Sequence, residues 1–488
     1  MHRRDVMKGK ANFIIDKIKY TPKGWETSSL ERKSYYAYFT GQNAIYYLLQ
    51  NYLNAYMIFL GIDLMKIATV MFAVKIWDAV NDALFGAIFD KVKFKNGKYL
   101  PWIRISTILT PAATILLFCI PKGTPETVKL AWFAIAYLIW DTVYTLCDVP
   151  ICSAVTAMTL NLEERTSMLS YKSLWVGVGI GAVTIIATLS VSEYLGLGYG
   201  WAAVITAAFA ILTMTPVLKT LKERHVTADE ENFTMRRMFR YLFKNKYLLI
   251  YYTGFFFYSA TNISGVLGLL VSYYLFHNTL FALVVGACGT IPAAIAAVLV
   301  PRALKKIDKM KLYSFCTLLM VIISSVTWVV GYDNIWVYMV LYILRAAPVA
   351  TIGVLMFMFT PDCAEYGQYK TGIEAKGITF AIQTFMIKVT AAVSGSMSML
   401  LLGLKSTGWI NVEANSFEEL QRLGIQQPQH ALDVLWFSYV MIPAIGSALA
   451  FICWKFYTLR DKDVQVMAKC NAGKLTKKQA EKKLSRKY

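Results

Sequence analysis

Twelve apolar runs, each about twenty residues long, constrain this chain more than any other feature. They fall near 36–60, 64–90, 103–121, 130–160, 168–193, 197–218, 247–275, 279–301, 312–331, 334–360, 376–403 and 431–458. A run of that length crosses the hydrocarbon core of a bilayer as a helix. Within lipid a helix satisfies its own backbone hydrogen bonds, so the expected fold class is an all-α membrane protein with twelve transmembrane helices. The longest internal polar stretch, 219–246, separates six runs from six. The expected organisation is a basic N-terminal tail (1–34), a six-helix bundle (35–218), a central loop (219–246), a second six-helix bundle (247–458) and a basic C-terminal tail (459–488). A further polar break, 404–430, lies between the last two runs. The short basic loops DKVKFKNGKYLPW and PRALKKIDKMKLY occupy equivalent positions in the two halves. Such a repeat is a known transporter plan.

The net charge of +20 could suggest a nucleic-acid partner, so its distribution decides. If the even-numbered connections and both termini lie on one side, that side holds 41 of the 50 Lys and Arg residues. That asymmetry is the positive-inside pattern, so both termini are expected in the cytoplasm and nucleic-acid binding is excluded. The basic end KLTKKQAEKKLSRKY is expected to be a solvated tail, with contact to anionic lipid as the alternative. The first 34 residues contain no apolar core of a cleavable signal peptide. The eight Cys form no CxxC pair and the four His are scattered, so neither a disulfide framework nor a zinc site is expected. Neither HExxH nor a GxGD acid occurs, so an intramembrane protease, and an enzyme generally, is not expected.

Charges inside apolar runs carry the functional information. One at a helix centre costs roughly 2.5–3.5 kcal/mol on insertion scales. In span 2, KIWDAVNDALFGAIFDK places Asp78 and Asp82 on one helical face, with Lys75 near it and Asn81 adjacent. Two like charges there call for a proton, a cationic side chain or a cation, and oxygen-rich sites suit hard cations. In span 4, IWDTVYTLCDVP gathers Asp141, Tyr144, Thr145 and Asp148, with Pro150 placed to kink the helix. Span 1 carries Asn43, Tyr47, Gln50 and Asn54 at spacings of 4, 3 and 4, a polar stripe unsuited to lipid and suited to sugar hydroxyls. The second half offers Tyr258 and Asn262 in span 7, Arg345 in span 10, and Thr384 with Lys388 in span 11.

The span 2 segment with its basic loop, together with GQN in span 1, YTLCDVP and DCAEYGQYK, resembles the glycoside–pentoside–hexuronide:cation symporters. These form the melibiose permease-like branch of the major facilitator superfamily, and the likeness covers residues 36 to 458. It implies the two-bundle fold of that superfamily, a bacterial cell membrane and transport by alternating access. It implies a monovalent cation, Na⁺ or H⁺, bound by Asp78 and Asp82 with Asn81 and Thr145. It implies Asp148 and Tyr144 on the sugar, and Lys388 near both sites. Asn43, Tyr47, Gln50, Asn262, Arg345 and Thr384 complete the candidate substrate set. Asp90, Lys91, Lys98 and Arg165 are the candidate ionic locks between halves. The expected partners are a sugar or glycoside and the bilayer, with no other cofactor and no obligate protein partner. The departures lie in sugar recognition. Gln42 or Asn43 replaces a second acid, Cys152 and Gly353 replace aromatics, and Ser173, next to Lys172, replaces an Arg. A site with fewer acids suggests an acidic glycoside such as a hexuronide. A lipid or lysolipid transporter of the same branch is the rival reading, against which the span 1 stripe argues.

Overall fold

The computed structural model describes residues 24–91, 97–225, 235–372, 376–486 and 488. Its long helices are α1 Ser29–Ile58, α2 Leu64–Lys91, α3 Leu100–Phe118, α4 Glu126–Met158, α5 Leu162–Val191, α6 Tyr199–Met214, α7 Lys246–Ala260, α8 Ser264–Tyr274, α9 Phe281–Ala303, α10 Lys309–Val330, α11 Ile335–Leu355, α12 Phe359–Thr371, α13 Lys376–Gly403 and α14 Gln429–Trp454, followed by the short α15 Asp461–Asn471 and α16 Lys477–Lys483. Ten segments among the described residues are long and apolar enough to cross a membrane. They omit α1 and α2, which carry the polar stripe and the buried charges, yet are 30 and 28 residues long. At 1.5 Å per residue both exceed the thickness of a bilayer core, so their polarity is functional cargo rather than a sign of another fold.

Two compact units form: Met1–Tyr56 with Val80–Glu230, and Met57–Ala79 with Glu231–Tyr488. Membership of 57–79 in the second unit has a local cause. Ala414 donates its N–H to the Phe59 carbonyl at 2.9 Å, and the Phe417 ring meets Phe59 edge-on at 4.9 Å. The polar break 404–430 is thus a structured strap that includes a short helix, Phe417–Leu423. Within the first unit, Glu223 accepts from the N–H groups of Lys98, Tyr99 and Leu100 at 2.6–2.9 Å and caps the start of α3. The orphan donors of a helix start and its positive dipole end both favour a carboxylate there. The helix α4 runs through Pro150 without a break.

Span 7 departs from the single run that hydropathy predicts. It is interrupted at Thr261–Ile263, between α7 and α8. The sequence there is TNISG, and such side chains offer the backbone local hydrogen bonds that compete with the helix. Thr261 Oγ1 bonds the Phe257 carbonyl at 2.8 Å. Gly446 of α14 packs against this point, where a Cβ would overlap the Thr261 hydroxyl.

The C-terminal segment is not the solvated tail expected from its charge. Met467, Val464 and Ala480 are buried, and the Tyr488 ring packs edge-on against Tyr247 and Tyr366. Asp463, itself buried, accepts from the Ser485 N–H at 2.8 Å and from the Ser485 and Tyr488 hydroxyls at 2.5 Å each. A tail read only for its lysines hides this apolar stripe. Burial would raise the Asp463 pKa, but the bonds from Ser485 and Tyr488 outweigh it and hold the carboxyl below its usual value. A depressed folded pKa stabilises above the unfolded value, about 3.9 for Asp, and that stability is lost as pH falls through the folded pKa. Amide-exchange protection of 461–486, corrected for intrinsic rates, should therefore be flat above pH 5 and fall below about pH 4. Asp463→Asn should remove the pH step, and a step of unchanged size in that variant would refute the assignment.

Candidate functional site

The first unit holds two polar constellations. In one, Asn81 of α2 reaches α4, donating Nδ2–H to Asp141 Oδ2 at 3.0 Å and to Thr145 Oγ1 at 3.2 Å. Asn81 is fully buried, and its Oδ1 has no hydrogen-bond partner among the described residues. The amide orientation is forced, because only the nitrogen can donate to Asp141. A neutral acceptor oxygen is therefore left without a donor among the described residues, and a buried acceptor costs about 1–3 kcal/mol unless a donor or cation fills the place. The side chains of Asp82, Asp90 and Lys91 lie outside the described residues.

In the other constellation, Gln42 of α1 donates Nε2–H to Asp148 Oδ1 at 2.6 Å. Its Oε1 is again buried without a partner among the described residues. Of the two amides in the GQN segment, Gln42 is thus the one that meets Asp148; Asn43 turns back to the Phe39 carbonyl of its own helix at 2.9 Å. The thiol of Cys152 lies 3.7 Å from Asp148 Oδ1, and Lys172 Nζ lies 3.9 Å from that sulfur and 4.0 Å from the centre of the Phe39 ring. Lys172 thus reaches the thiol that bonds the span 4 acid, whereas Ser173 turns back to the Leu169 carbonyl of its own helix at 3.2 Å. A one-residue offset hides this in the sequence.

A column of rings flanks Asp148. Trp140 stacks on Tyr144 with centroids 4.8 Å apart and planes 9° apart, and Tyr144 stacks on Tyr46 at 5.3 Å and 25°. Exposure rises along the column, from buried Trp140 to exposed Tyr46. Gln50 Nε2 bonds the Tyr46 hydroxyl at 2.9 Å. The half-exposed face of α1 comprises Asn43, Tyr46, Tyr47 and Gln50, and Tyr47 faces Thr184 of α5. Asn54, the fourth member of the expected stripe, is buried. Tyr46 was missed by the 4, 3, 4 spacing but fits the same face at 3 and 4 from Asn43 and Gln50. Amides and phenols on an open face belong in water, not lipid.

In the second unit, Lys388 of α13 donates to Asp78 Oδ1 at 2.5 Å and to the Asp78 carbonyl at 3.2 Å. Lys75 is buried and interacts electrostatically with Asp78. Two cations thus share one described carboxylate. Arg345, buried in α11, donates to Ser264 Oγ at 3.1 Å, at the first residue of α8. Asn262 is exposed in the break itself, and Thr384 is exposed on α13, one turn before Lys388. Of the candidate locks, Arg165 donates to the Thr159 carbonyl at 2.8 Å inside the first unit. Lys98 lies over the Tyr99 ring, with Nζ 5.7 Å from its centroid. Among the described residues no group of three His, Cys, Asp or Glu is arranged to hold a metal ion.

Comparison with known proteins places these helices. The family described as MFS/sugar transport protein matches residues 35–461. The chain is 26% identical over 439 residues to a protein named uncharacterized symporter YnaJ of Bacillus subtilis (strain 168), covering 88% of this chain and 91% of that one. It is 23% identical over 419 residues to the isoprimeverose transporter of Lactiplantibacillus pentosus, covering 84% of each. It is 24% identical over 421 residues to the glucuronide carrier protein homolog of Escherichia coli (strain K12), covering 82% and 86%. In fold it is similar to the crystal structure of the nucleoside transporter NupG, with a TM-score of 0.61 and 13% identity over 88% of this chain and 99% of that one. The chain accordingly belongs to the MFS/sugar transport protein family and is a multi-pass membrane transporter, not an enzyme.

Proposed function

We propose that this protein is a cation-coupled symporter of a sugar or glycoside that works by alternating access. The observation that carries the reading is the pair of unsatisfied buried amide oxygens, Gln42 Oε1 and Asn81 Oδ1, each beside a carboxylate. Each is an acceptor with no donor among the described residues, which suits one that a ligand brings. At Gln42 and Asp148 the missing donors are hydroxyls, and the Tyr46–Tyr144–Trp140 column offers a ring face for the C–H side of a pyranose. The monovalent cation, Na⁺ or H⁺, binds the span 2 acids Asp78 and Asp82, with Asn81 and Thr145 assisting; the amide oxygen would ligate Na⁺, whereas a proton would sit on one of the acids. Lys388 then acts as the resident counter-charge that a bound cation displaces from Asp78. The relatives named as an isoprimeverose transporter and a glucuronide carrier homolog support a glycoside substrate. The lipid-transport rival gains no support from this polar face.

Lys172 favours a finer reading. An ammonium group that shares the Cys152 thiol as a neighbour with Asp148 partly offsets the single sugar-binding acid and has donors for an anionic substituent. The substrate then carries a carboxylate or sulfonate. Uptake by proteoliposomes with an inward Na⁺ or H⁺ gradient tests both levels. A glucuronide should compete at least tenfold better than the matched neutral glucoside, and Lys172→Gln should erase the difference. Equal competition by both sugars would rule out the acidic substrate while leaving symport intact. Failure of every glycoside to move under either gradient would remove the symporter reading itself.

A further inference from the structure

Away from the proposed transport path, the second unit contains a cavity of about 580 Å³ where the chain leaves α9, enters α10 and passes from α14 into α15. Six cations line it: Lys305, Lys306, Lys311, Arg460, Lys462 and Arg486. The two lining acids are committed elsewhere. Asp308 caps α10 through the Met310 N–H at 3.1 Å and accepts the Asp461 N–H at 3.0 Å. Asp461 accepts the Lys309 N–H at 2.8 Å and pairs with Lys309 Nζ at 3.5 Å. Each carboxylate thus braces the helix start opposite. Among the described residues no ion pair engages Lys305, Lys306, Lys311, Lys462 or Arg486, and Arg460 acts only at a distance on Asp463. Six cations against two carboxylates that are already bonded to helix starts leave an excess of positive charge around a cavity of that size, which suits an anion.

The surface leading away from the cavity says what the anion is attached to. Lys311, Phe315, Leu318, Ile322 and Val326 fall at intervals of 4, 3, 4 and 4, so they form one stripe up α10, and all are exposed. Phe315 is 62% exposed, and Phe456 at the end of α14 is 66% exposed. In a membrane protein such a stripe faces acyl chains, and its charged foot lies at the headgroup level. Soluble phosphates have no use for it. The 302–311 loop and the segment after 459 both belong to the side expected to hold 41 of the 50 Lys and Arg, which marks the cytoplasmic leaflet, where anionic lipids concentrate.

We propose that this cavity is a binding site for the phosphate-bearing headgroup of an anionic phospholipid, whose acyl chains lie along the outer face of α10. The charges engage the phosphate, and the folded C-terminal segment, which contributes Arg460, Lys462 and Arg486, closes the cavity from the aqueous side. Occupation therefore ties the last two short helices to the membrane.

The test uses the full chain purified in detergent, with lipid retention read by native mass spectrometry and thermal unfolding followed in parallel. Phosphatidylglycerol and cardiolipin are compared with phosphatidylcholine, and inorganic phosphate and glycerol 3-phosphate serve as chain-free anions. The expected result is selective retention of the anionic lipids with a rise in melting temperature. Lys311→Ala/Lys462→Ala/Arg486→Ala should weaken that retention at least tenfold. The charge-matched Lys478→Ala/Lys482→Ala/Lys483→Ala variant should change it less than twofold. Equal weakening by both variants would reduce the effect to general tail charge and overturn the site. Full protection by glycerol 3-phosphate would overturn the lipid in favour of a free phosphate ligand, and equal retention of phosphatidylcholine would overturn anion selectivity. If the first variant does not yield monodisperse protein, Lys306→Gln/Lys311→Gln, which spares the C-terminal helices, carries the same comparison.

Discussion

Asp148→Asn is expected to weaken substrate binding by 10- to 100-fold while leaving the protein folded. The carboxylate receives bonds that include those from Gln42 at 2.6 Å and from the Cys152 thiol at 3.7 Å, and a carboxylate's four or so lone-pair sites can also accept substrate hydroxyls. Hydrogen bonds to a charged group are worth roughly 1.5–3 kcal/mol, which sets the size of the loss. An Asn keeps the shape and one acceptor, so the Gln42 contact can survive and thermal unfolding should barely shift. Gln42→Ala should cost less, because it removes one neutral acceptor and frees an oxygen of Asp148. Binding is best followed by isothermal titration or by substrate-induced stabilisation. Unchanged affinity in Asp148→Asn would move the sugar site elsewhere.

Asp78→Cys and Asp82→Cys should each abolish accumulation while downhill flux persists. For a neutral glycoside, a monovalent cation drawn in by 100 mV supplies about 2.3 kcal/mol, enough for a ratio of roughly 50-fold; an acidic glycoside moving with one cation carries no net charge and is driven by the cation's concentration gradient instead. Without the acids, a neutral glycoside should fall to a ratio of about one whatever the membrane potential, and a cation gradient should no longer raise the ratio of any substrate. The structure adds a refinement. Asp78 is held by Lys388 at 2.5 Å, so its removal leaves a cation at Lys388 without its described carboxylate. Lys388→Ala should therefore lower cation selectivity rather than imitate Asp78→Cys, and the double variant should be better folded than Asp78→Cys alone. The coupling must be reciprocal: where substrate raises cation affinity, cation raises substrate affinity by the same factor. Normal accumulation in both carboxylate variants would end the assignment of the cation to span 2.

Much of this architecture is legible from hydropathy because the bilayer enforces it. The boundaries of α2 and α13 lie within a residue of the apolar runs 64–90 and 376–403. Polar residues in lipid-facing surroundings likewise announce themselves, which is how Asn81, Thr145 and Asp148 could be named in advance. What hydropathy does not register is direction and partner. It does not tell that Gln42, not Asn43, meets Asp148, since the two are adjacent and point about 100° apart on a helix. It overlooks Tyr46 and Trp140, because a tyrosine or tryptophan in an apolar run reads as packing. It also does not tell that Lys172, rather than Ser173, reaches the Cys152 thiol next to Asp148. The C-terminal segment is misread for the opposite reason. Ten Lys and Arg residues between 459 and 488 mask the alternation of Val464, Met467 and Ala480 that docks it.

The interruption between α7 and α8 has a bearing on where water goes. The two pieces contain 15 and 11 residues, about 22 Å and 16 Å long at 1.5 Å per residue. Neither alone bridges a hydrocarbon core of roughly 30 Å, so the segment inserts only as a joined pair with its seam at depth. Each helix end at that seam leaves backbone donors and acceptors beyond those met by Thr261 and Ser259. Lipid tails offer them nothing. The seam is therefore compatible with a membrane only where protein packs it, as Gly446 and Arg345 do, or where water or a hydroxyl-bearing solute reaches it, for which exposed Asn262 is the place.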